Sequence, residues 1–398
     1  PTIEHIDDLL PALRGREDLE AAFIRCAREG FVSLDYVVMI PGVFGCLVND
    51  PDPMAAMLRR EARGIKFCAR TGEILSRVHP KCFNVGQEAE TDPGLLDWRR
   101  PYRILEKLDG SMINATPVDG RILFTTRKGA GFDPAIQAFV AGHPADYLGF
   151  CRAMLDAGYS PLFEWCSPDP DYRIVLVYPE PKLVLTGLRH TRNGQYVAHD
   201  AMAAEARRFG VPVVQTWERN VTDIDAYLEA LRGRTGIEGV VIRWEDDGYT
   251  VKAKTDDYRR QHQFLEDMQR EDKAIELVLM GGEDDVLPTL SAPDAEALRR
   301  LSGLVNGAIA RKAAWAERCW AAFQDAHGPD RKRFATEVAS GHDKFHRSLL
   351  LATMNKGDAR GQLMRLLVEP QNQCLKSLDQ TRAVLELPSW HDLRDGRA

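Results

Sequence analysis

The sequence lacks several features that would assign it to a specialised class of protein. It has no basic excess, since 52 Lys and Arg stand against 59 Asp and Glu, a formal net charge of −7. This balance excludes a uniformly basic, histone-like nucleic-acid binder but leaves room for a local basic patch. The eight cysteines form no Cys-x-x-Cys pair and no Cys/His cluster with zinc spacing. We expect them to be reduced and mostly buried, as in an intracellular protein.

Signals for secretion and for membrane insertion are also missing. Residues 1–5 are polar and include no basic start followed by an apolar run, so no secretory signal is predicted. The most apolar stretch, residues 31–48, is interrupted by Asp35, Pro41 and Gly42. That interruption favours two strands and a turn over a membrane span.

What the sequence does contain is a change of pattern near residue 260. Up to about residue 255, short apolar runs separated by turn residues predict strands, with a few helices between them. Many connections are too short for crossover helices, so we expect an α+β fold with largely antiparallel strands. The predicted strands include 121–126, 173–178, 183–188, 239–244 and 249–253.

Beyond residue 257 the sequence predicts helices almost throughout. A helix is expected over 265–280, another starting with Ser291 as its N-cap, and further helices over 330–354 and 358–367. We therefore predict two domains, 1–260 and 261–398. Basic clusters in the second domain, at 311–312, 331–333 and 344–347, indicate either solvated helix faces or RNA contacts.

The string Glu106-Lys107-Leu108-Asp109-Gly110-Ser111 is the strongest candidate for chemistry. It places a lysine beside a carboxylate and a glycine that allows a tight turn. A lysine acts as a nucleophile only when it loses its proton, and neighbouring cations are one means of lowering its pKa. Taken alone, such a string occurs often by chance.

Four further segments supply polar groups in a fixed order after this string. Lys252 and Lys254 lie two apart, so on a strand they share one face and could clamp a polyphosphate. Glu238, before an apolar strand, could hold Mg²⁺. Glu164 lies between aromatic residues, and Arg127 and Lys128 precede a glycine. Each has an ordinary structural interpretation: a turn, a solvated strand face or a paired acid.

The order of these segments resembles the five motifs of the nucleotidyltransferase superfamily of ATP-dependent ligases and mRNA capping enzymes. The resemblance covers about residues 60–258. Within the superfamily the chain is similar to the RNA ligase 1 family of phage tRNA-repair enzymes, because of the upstream strings Glu61-Ala-Arg63-Gly and Lys81-Cys-Phe83-Asn, Tyr258 after Lys254, and a helical C-terminal region. It implies a nucleotidyltransferase (ATP-grasp-like ligase) domain of mainly antiparallel sheets, followed by an all-α domain.

The resemblance also implies a role for each matching residue. Lys107 would carry AMP, with Asp109, Gly110 and Ser111 shaping its loop; Asp109 would belong to the catalytic group, and Glu106 would help to bind the nucleotide. Arg63 and Lys81 would contact the triphosphate, with Phe83 shaping that site, and Glu164 would hold the ribose. Glu238 would hold the metal, Lys252 and Lys254 the α-phosphate, and Tyr258 would support the phosphate site. Either Arg127 or Lys128 would approach the nucleotide, and the sequence leaves that choice open.

The implied activity is ATP-dependent joining of 5′-phosphate and 3′-hydroxyl RNA ends, with ATP and Mg²⁺, or Mn²⁺ in its place, as cofactors. The expected partners are broken tRNA or single-stranded RNA ends and a separate end-healing kinase and phosphatase. A monomer in the cytoplasm of a bacterial or phage-infected cell is expected, with no membrane partner. Two alternatives remain: a capping-type guanylyltransferase, or a catalytically inactive nucleotide- or RNA-binding module.

Overall fold

The chain divides into two units, Pro1–Gln261 and His262–Ala398. The structure, a computed structural model, describes residues 1–15, 17–36, 42–48, 50–127, 133–169, 172, 174–267, 270–287, 290, 292–368 and 378–395. None of the helices within these ranges is long and apolar enough to cross a membrane.

The strands of the first unit form three four-stranded sheets in which every ladder between described strands is antiparallel. The expectation of an antiparallel α+β fold is therefore confirmed. The first sheet has the order β1-β2-β3-β4, with β1 Phe23–Arg28, β2 Phe31–Tyr36, β3 Ile65–Cys68 and β4 Ile74–Ser76. The second has the order β10-β5-β11-β12, with β5 Tyr102–Lys107, β10 Thr216–Arg219, β11 Gly239–Trp244 and β12 Thr250–Lys254. The third has the order β7-β6-β8-β9, with β6 Ser111–Val118, β7 Arg121–Thr126, β8 Tyr159–Cys166 and β9 Lys182–His190.

Helices cover the apolar faces of these sheets. They are α1 Glu17–Ala22, α2 Pro53–Glu61, α3 Pro134–Gly142, α4 Tyr147–Asp156, α5 His199–Arg208 and α6 Ile224–Arg232. The next helix, α7 Asp256–Asp267, spans the boundary between the two units. In the second sheet, side chains alternate between the two faces. Ile104 and Ile242 pack with Leu228 and Leu231 of α6 in one core, which leaves Leu105, Lys107 and their neighbours for the other face.

One predicted strand, 173–178, is wrong. Residues 174–178 form bends and irregular chain, and residue 173 lies outside the described residues. The amides of Val175 and Leu176 donate to the Asp109 carboxylate, at 2.8 and 2.6 Å, instead of to a neighbouring strand. A side chain distant in sequence thus takes the donors that a sheet ladder would need.

The second unit is helical and has its own apolar core. Its helices are α8 Glu271–Met280, α9 Glu283–Val286, α10 Ala292–His327, α11 Arg331–Glu337, α12 Lys344–Lys356, α13 Ala359–Val368, α14 Leu378–Leu385 and α15 Trp390–Arg394. The all-α expectation is confirmed. The predicted N-cap Ser291 lies outside the described residues.

Two of the predicted helices are divided in the structure. The segment 265–280 belongs to α7 and α8, because Arg270 adopts an extended conformation and starts a new helix. The segment 330–354 is divided between α11 and α12, because the Asp343 side chain accepts from the amides of Phe345 and His346 and caps α12.

The basic clusters of this unit have acidic neighbours. Lys312 lies 3.2 Å from Glu386, and Arg333 pairs with Glu337 at 2.9 Å along one helix. The Arg333 side chain is 45% exposed, so its pair favours the solvated-face interpretation, whereas the Lys312 side chain is 13% exposed and does not form a solvated face.

All seven described cysteines are free. Only Cys151 and Cys166 among them are buried and the other five are half-buried, so the expectation of mostly buried cysteines is wrong. Cys26, for example, lies on β1, the edge strand of the first sheet.

Candidate active site

A cavity of about 930 Å³ opens in the first unit between faces of the second and third sheets. This size is typical of small-molecule sites. Nine of the residues predicted from the sequence line it: Arg63, Lys81, Glu106, Lys107, Gly110, Ser111, Arg127, Glu164 and Lys252. Five others contact these residues or their neighbours without lining the cavity: Phe83, Asp109, Glu238, Lys254 and Tyr258.

Lys107 ends β5 and lies opposite Gly239 on β11. Its Nζ is 2.8 Å from Oε1 of Glu238, and the same oxygen is 3.1 Å from Nζ of Lys254. Glycine is required at position 239 for β11 to lie this close to β12, because a Cβ there would be 2.0 Å from the Ala253 carbonyl oxygen. Its φ of +151° also favours glycine. The predicted lysine, acid and strand lysine therefore meet in one buried cluster.

Opposing effects act on the pKa of Lys107. Burial lowers it, but the carboxylates of Glu238 and Glu164 outweigh burial and hold the pKa above its ordinary value. Lys107 is therefore an ammonium in this state. It becomes a nucleophile only when its interaction with Glu238 is relaxed.

Glu164 lies on β8, opposite Met112 of β6, and faces the cavity from the third sheet. Burial raises its pKa to about 7, with Lys107 opposing the rise. A carboxyl group that titrates near neutral pH inside a cavity marks a functional-site candidate.

Lys81 and Lys252 are brought together by backbone pairing. The segment after Lys81 runs beside β12, where the Lys252 amide donates to the Phe83 carbonyl at 3.1 Å and the Val85 amide donates to the Lys252 carbonyl at 2.9 Å. Burial lowers the pKa of Lys252 to about 8, and the charges of Lys107, Lys81 and Arg63 add to that effect. Several cations so close together favour a polyanionic ligand.

The Lys81 ammonium faces three aromatic rings. Its Nζ is 5.3 Å from the ring centre of Tyr36 and 5.5 Å from those of Phe44 and Phe83. Such contacts hold a cation without neutralising it. Phe83 therefore acts on the site by holding Lys81.

Of the predicted pair Arg127 and Lys128, Arg127 lines the cavity, and Lys128 lies outside the described residues. Its Nη1 donates to the Tyr36 hydroxyl at 2.9 Å, and its Nε is 3.2 Å from the buried Asp35 carboxylate. Burial raises the pKa of Asp35 above its ordinary value although Arg127 opposes the rise. The guanidinium is thus fixed by β2.

Asp109 is directed away from the cavity and is 3% exposed. One carboxylate oxygen accepts from the Tyr258 hydroxyl at 2.6 Å, and the other accepts from the amides of Val175 and Leu176. The Tyr258 ring in turn lies 4.6 Å from Nζ of Lys254. Asp109 and Tyr258 therefore position the Lys107 loop and Lys254 from behind.

No group of three or more His, Cys, Asp and Glu side chains among the described residues could hold a metal ion. Glu238 is instead a single carboxylate next to a cavity rich in cations. Mg²⁺ is commonly held by one or two carboxylates together with substrate phosphates. The ammonium groups that contact Glu238 are those of Lys107 and Lys254. Glu238 fits that pattern when these two lysines also bind a phosphate ligand.

Tyr36 is the principal site residue that the sequence did not predict. It contacts both Arg127 and Lys81, yet it ends an apolar strand, where its ring resembles any core aromatic. No local pattern marks it. Only its pairing with cations distant in sequence reveals its role.

Comparison with known proteins agrees with this geometry. Residues 61–258 match a family model described as RNA ligase. A putative RNA ligase of Thermovibrio ammonificans is 29% identical over 253 residues, 62% of this chain and 64% of that protein. RNA ligase 1 of Bacteriophage TS2126 is 27% identical over 397 residues, 90% of this chain and 92% of that protein.

Among solved structures, an archaeal ATP-dependent RNA ligase has a TM-score of 0.47 at 15% identity, covering 67% of this chain and 65% of that chain. The chain thus spans less than two thirds of the length of the Thermovibrio relative and of this structure. Matches over the segment that carries the cavity, and along most of the phage protein, show that the chain belongs to the RNA ligase family of the RNA ligase 1 type.

Proposed function

We propose that the protein is an ATP-dependent RNA ligase that works through a covalent AMP on Lys107. The observation that carries the proposal is the position of Lys107, which ends a strand in a cavity between two carboxylates and several cations. Family membership supports the same activity.

The proposed reaction has three displacements at phosphorus. Neutral Lys107 Nζ attacks the α-phosphorus of ATP, so a P–N bond forms, the bond to pyrophosphate breaks and pyrophosphate leaves. An oxygen of an RNA 5′-phosphate then attacks the same phosphorus and releases the lysine. Finally, a 3′-hydroxyl attacks the activated 5′-phosphate, loses its proton and displaces AMP.

The residues around Lys107 supply positioning and charge for these steps. We assign the ribose hydroxyls to Glu164, the α-phosphate to Lys252 and Lys254, and the outer phosphates to Arg63, Lys81 and Arg127. Negative charge gathers on phosphoryl oxygens in the transition state, where fixed cations stabilise it most. Glu238 Oε1, 2.8 Å from Lys107 Nζ, orients the lysine towards the cavity before the interaction is relaxed.

We assign Mg²⁺, or Mn²⁺ in its place, to Glu238. When bound, the ion neutralises charge on the phosphate oxygens. It would also compete with Lys107 for the same carboxylate, which favours the neutral lysine.

The substrate we propose is RNA with a 5′-phosphate and a 3′-hydroxyl at a break, with broken tRNA as the preferred case. Such ends require a separate kinase and phosphatase when the break leaves other termini. We further propose that the enzyme acts as a monomer.

The test is incubation with ATP labelled at the α-phosphate and Mg²⁺, followed by denaturing electrophoresis. We expect a covalent adduct in the natural sequence and none in Lys107→Ala. Lys182→Ala is the matched control, because Lys182 is a lysine of the same unit whose ammonium lies 4.5 Å from the Tyr178 ring and which does not line the cavity. It should label as the natural protein does.

Labelled GTP, and broken RNAs and DNAs added to the adduct, complete the experiment. A GMP adduct without an AMP adduct would support the capping-type alternative. Equal labelling of Lys107→Ala would remove Lys107 from its role. An adduct that joins DNA breaks but no RNA would contradict the proposed substrate.

A further inference from the structure

Lys66 on β3 is a buried lysine that the proposed reaction does not use. It is 0% exposed. Its Nζ donates to the Asn114 side-chain oxygen at 2.9 Å, to the Gly64 carbonyl at 3.0 Å and to the Thr126 carbonyl at 3.2 Å. When Lys66 is protonated it has three N–H donors, and these acceptors satisfy all of them.

None of these three acceptors is a carboxylate, so the charge is buried without direct neutralisation. Burial lowers the pKa of Lys66 to about 7, and the charge of Asp35 opposes that change. Burying a charge costs free energy that a methionine of similar length would avoid. A lysine at this position therefore calls for an explanation beyond packing.

The two carbonyls held by Lys66 adjoin two of the arginines that line the cavity, Arg63 and Arg127. Gly64 follows Arg63, and Thr126 precedes Arg127. The two backbone segments lie close together, since a Cβ on Gly64 would lie 2.4 Å from the Arg127 carbonyl oxygen. Gly64 directly precedes β3 and Thr126 ends β7, so hydrogen bonds from one ammonium to both carbonyls fix these two segments relative to each other.

The side chains of Arg63 and Arg127 are held by groups other than Lys66. Arg127 is held by Asp35 and Tyr36 on β2. Nη1 of Arg63 donates to the His79 carbonyl at 3.4 Å and to the Met112 sulfur at 3.5 Å, and the guanidinium also hydrogen-bonds to Tyr36. The backbone here is held by the Arg63 amide, which donates to the Glu61 carbonyl at 2.7 Å, and by the Lys66 ammonium, which binds the carbonyl of the next residue, Gly64.

We propose that Lys66 is a positioning residue that sets the separation of Arg63 and Arg127 and so the affinity of the cavity for a polyphosphate chain. This inference rests on the proposed use of the cavity for ATP. It assigns Lys66 no contact with the ligand.

The test compares Lys66→Met with the natural sequence in two equilibrium binding titrations, one with inorganic tripolyphosphate and one with adenosine. We expect tripolyphosphate to bind about tenfold more weakly to Lys66→Met, since small displacements of binding groups have effects of this order or larger. Adenosine binding should stay unchanged, because it has no phosphate for the arginines. A general loss of packing would weaken both ligands.

Ser76→Ala is the matched control. The Ser76 hydroxyl accepts from Asn114 Nδ2 at 2.7 Å, so it belongs to the same buried hydrogen-bond network but touches neither arginine-bearing segment. We expect both titrations to match the natural sequence. Equal weakening of tripolyphosphate by Ser76→Ala would overturn the proposal.

A double-mutant cycle with Arg63→Ala supplies a second criterion. If Lys66 acts through Arg63, the effect of Lys66→Met on tripolyphosphate should shrink when Arg63 is absent. If Lys66→Met weakens tripolyphosphate binding just as much without Arg63, Lys66 does not act through Arg63 and the proposal is overturned. Should Lys66→Met fail to fold, Lys66→Gln, which keeps two donors, should show a smaller selective loss, and no selective loss there would also overturn it.

Failure of the ligase proposal would look different. A natural protein that forms no AMP adduct, yet binds tripolyphosphate more tightly than Lys66→Met does, would refute the proposed reaction and leave this inference standing. If the natural protein forms the adduct, and Lys66→Met binds tripolyphosphate as tightly as the natural protein does, the ligase proposal stands and this inference is refuted.

Discussion

Glu164 holds a carboxyl group that changes charge near neutral pH, because burial raises its pKa to about 7. If it binds the ribose hydroxyls, it should accept more strongly as a carboxylate above pH 7 than as a neutral acid below it. We expect the preference for ATP over 2′-deoxy-ATP, measured as a ratio of kcat/KM for adduct formation, to rise about fivefold between pH 6 and pH 8.

The ratio of the two kcat/KM values cancels the effect of pH on the triphosphate, because ATP and 2′-deoxy-ATP carry the same triphosphate. Glu164→Gln is the matched control, since its amide oxygen accepts at every pH and should give a flat ratio. A flat ratio in the natural sequence, or the same rise in Glu164→Gln, would contradict the role of Glu164.

At this scale, the sequence indicated which charged residues could share a site, but not what each of them does. Lys107, Glu238 and Lys252 combine charge with apolar strands, and the structure brings them together. Tyr36 and Lys66 gave no signal, because a tyrosine in an apolar run and a lysine on a short strand are common in other settings. Glu61, matched as part of a family string, is paired with Arg77 and Arg189; burial alone would raise its pKa, but the charges of the two arginines lower it to about 2.

At the scale of elements, the turn between β5 and β6 determines where Lys107 lies. Gly110 in that turn packs against β8 so closely that an added Cβ would be 2.2 Å from the Trp165 carbonyl oxygen. The clash is with backbone, which cannot rotate away. We expect Gly110→Ala to displace the turn and slow adduct formation by about 100-fold.

Gly142→Ala provides the comparison for this element. Gly142 ends α3, and a Cβ there would meet nothing within 4 Å. Its adduct rate and thermal midpoint should match those of the natural sequence. Unchanged labelling by Gly110→Ala would show that the turn tolerates the shift and that Gly110 does not set the position of Lys107.

Elements were predictable where hydrogen bonding is local or follows strand periodicity. The strands at 121–126 and 239–244 are confirmed, as is the shared face of Lys252 and Lys254. The segment 173–178 was mistaken for a strand because its apolar residues suit one. Its amides are instead bonded to Asp109, 66 and 67 positions away along the chain, which no local pattern reveals.

At the scale of the whole molecule, every described residue assigned to the reaction belongs to the first unit. The apolar clusters of the first unit, such as those around Phe163 and Ile242, share no residue with the cluster of the second. The change of sequence pattern near residue 260 reflects this separation. Whether the second unit contacts RNA could not be predicted from the sequence, because basic residues on a helix are equally expected on a face that contacts only solvent.

A shortened chain separates the contribution of the first unit to adduct formation from that of the second unit. A fragment of residues 1–267, which ends with α7 and keeps Tyr258 beside Asp109, retains all the contacts described around Lys107. We expect it to form the AMP adduct at a rate within about threefold of the full chain, because each unit buries its own core and domains of this size generally fold alone. Circular dichroism would establish that the fragment is folded, and Lys107→Ala in the fragment is the control. A folded fragment without an adduct would show that the second unit contributes to the first displacement, and the reaction would then need both units from its start.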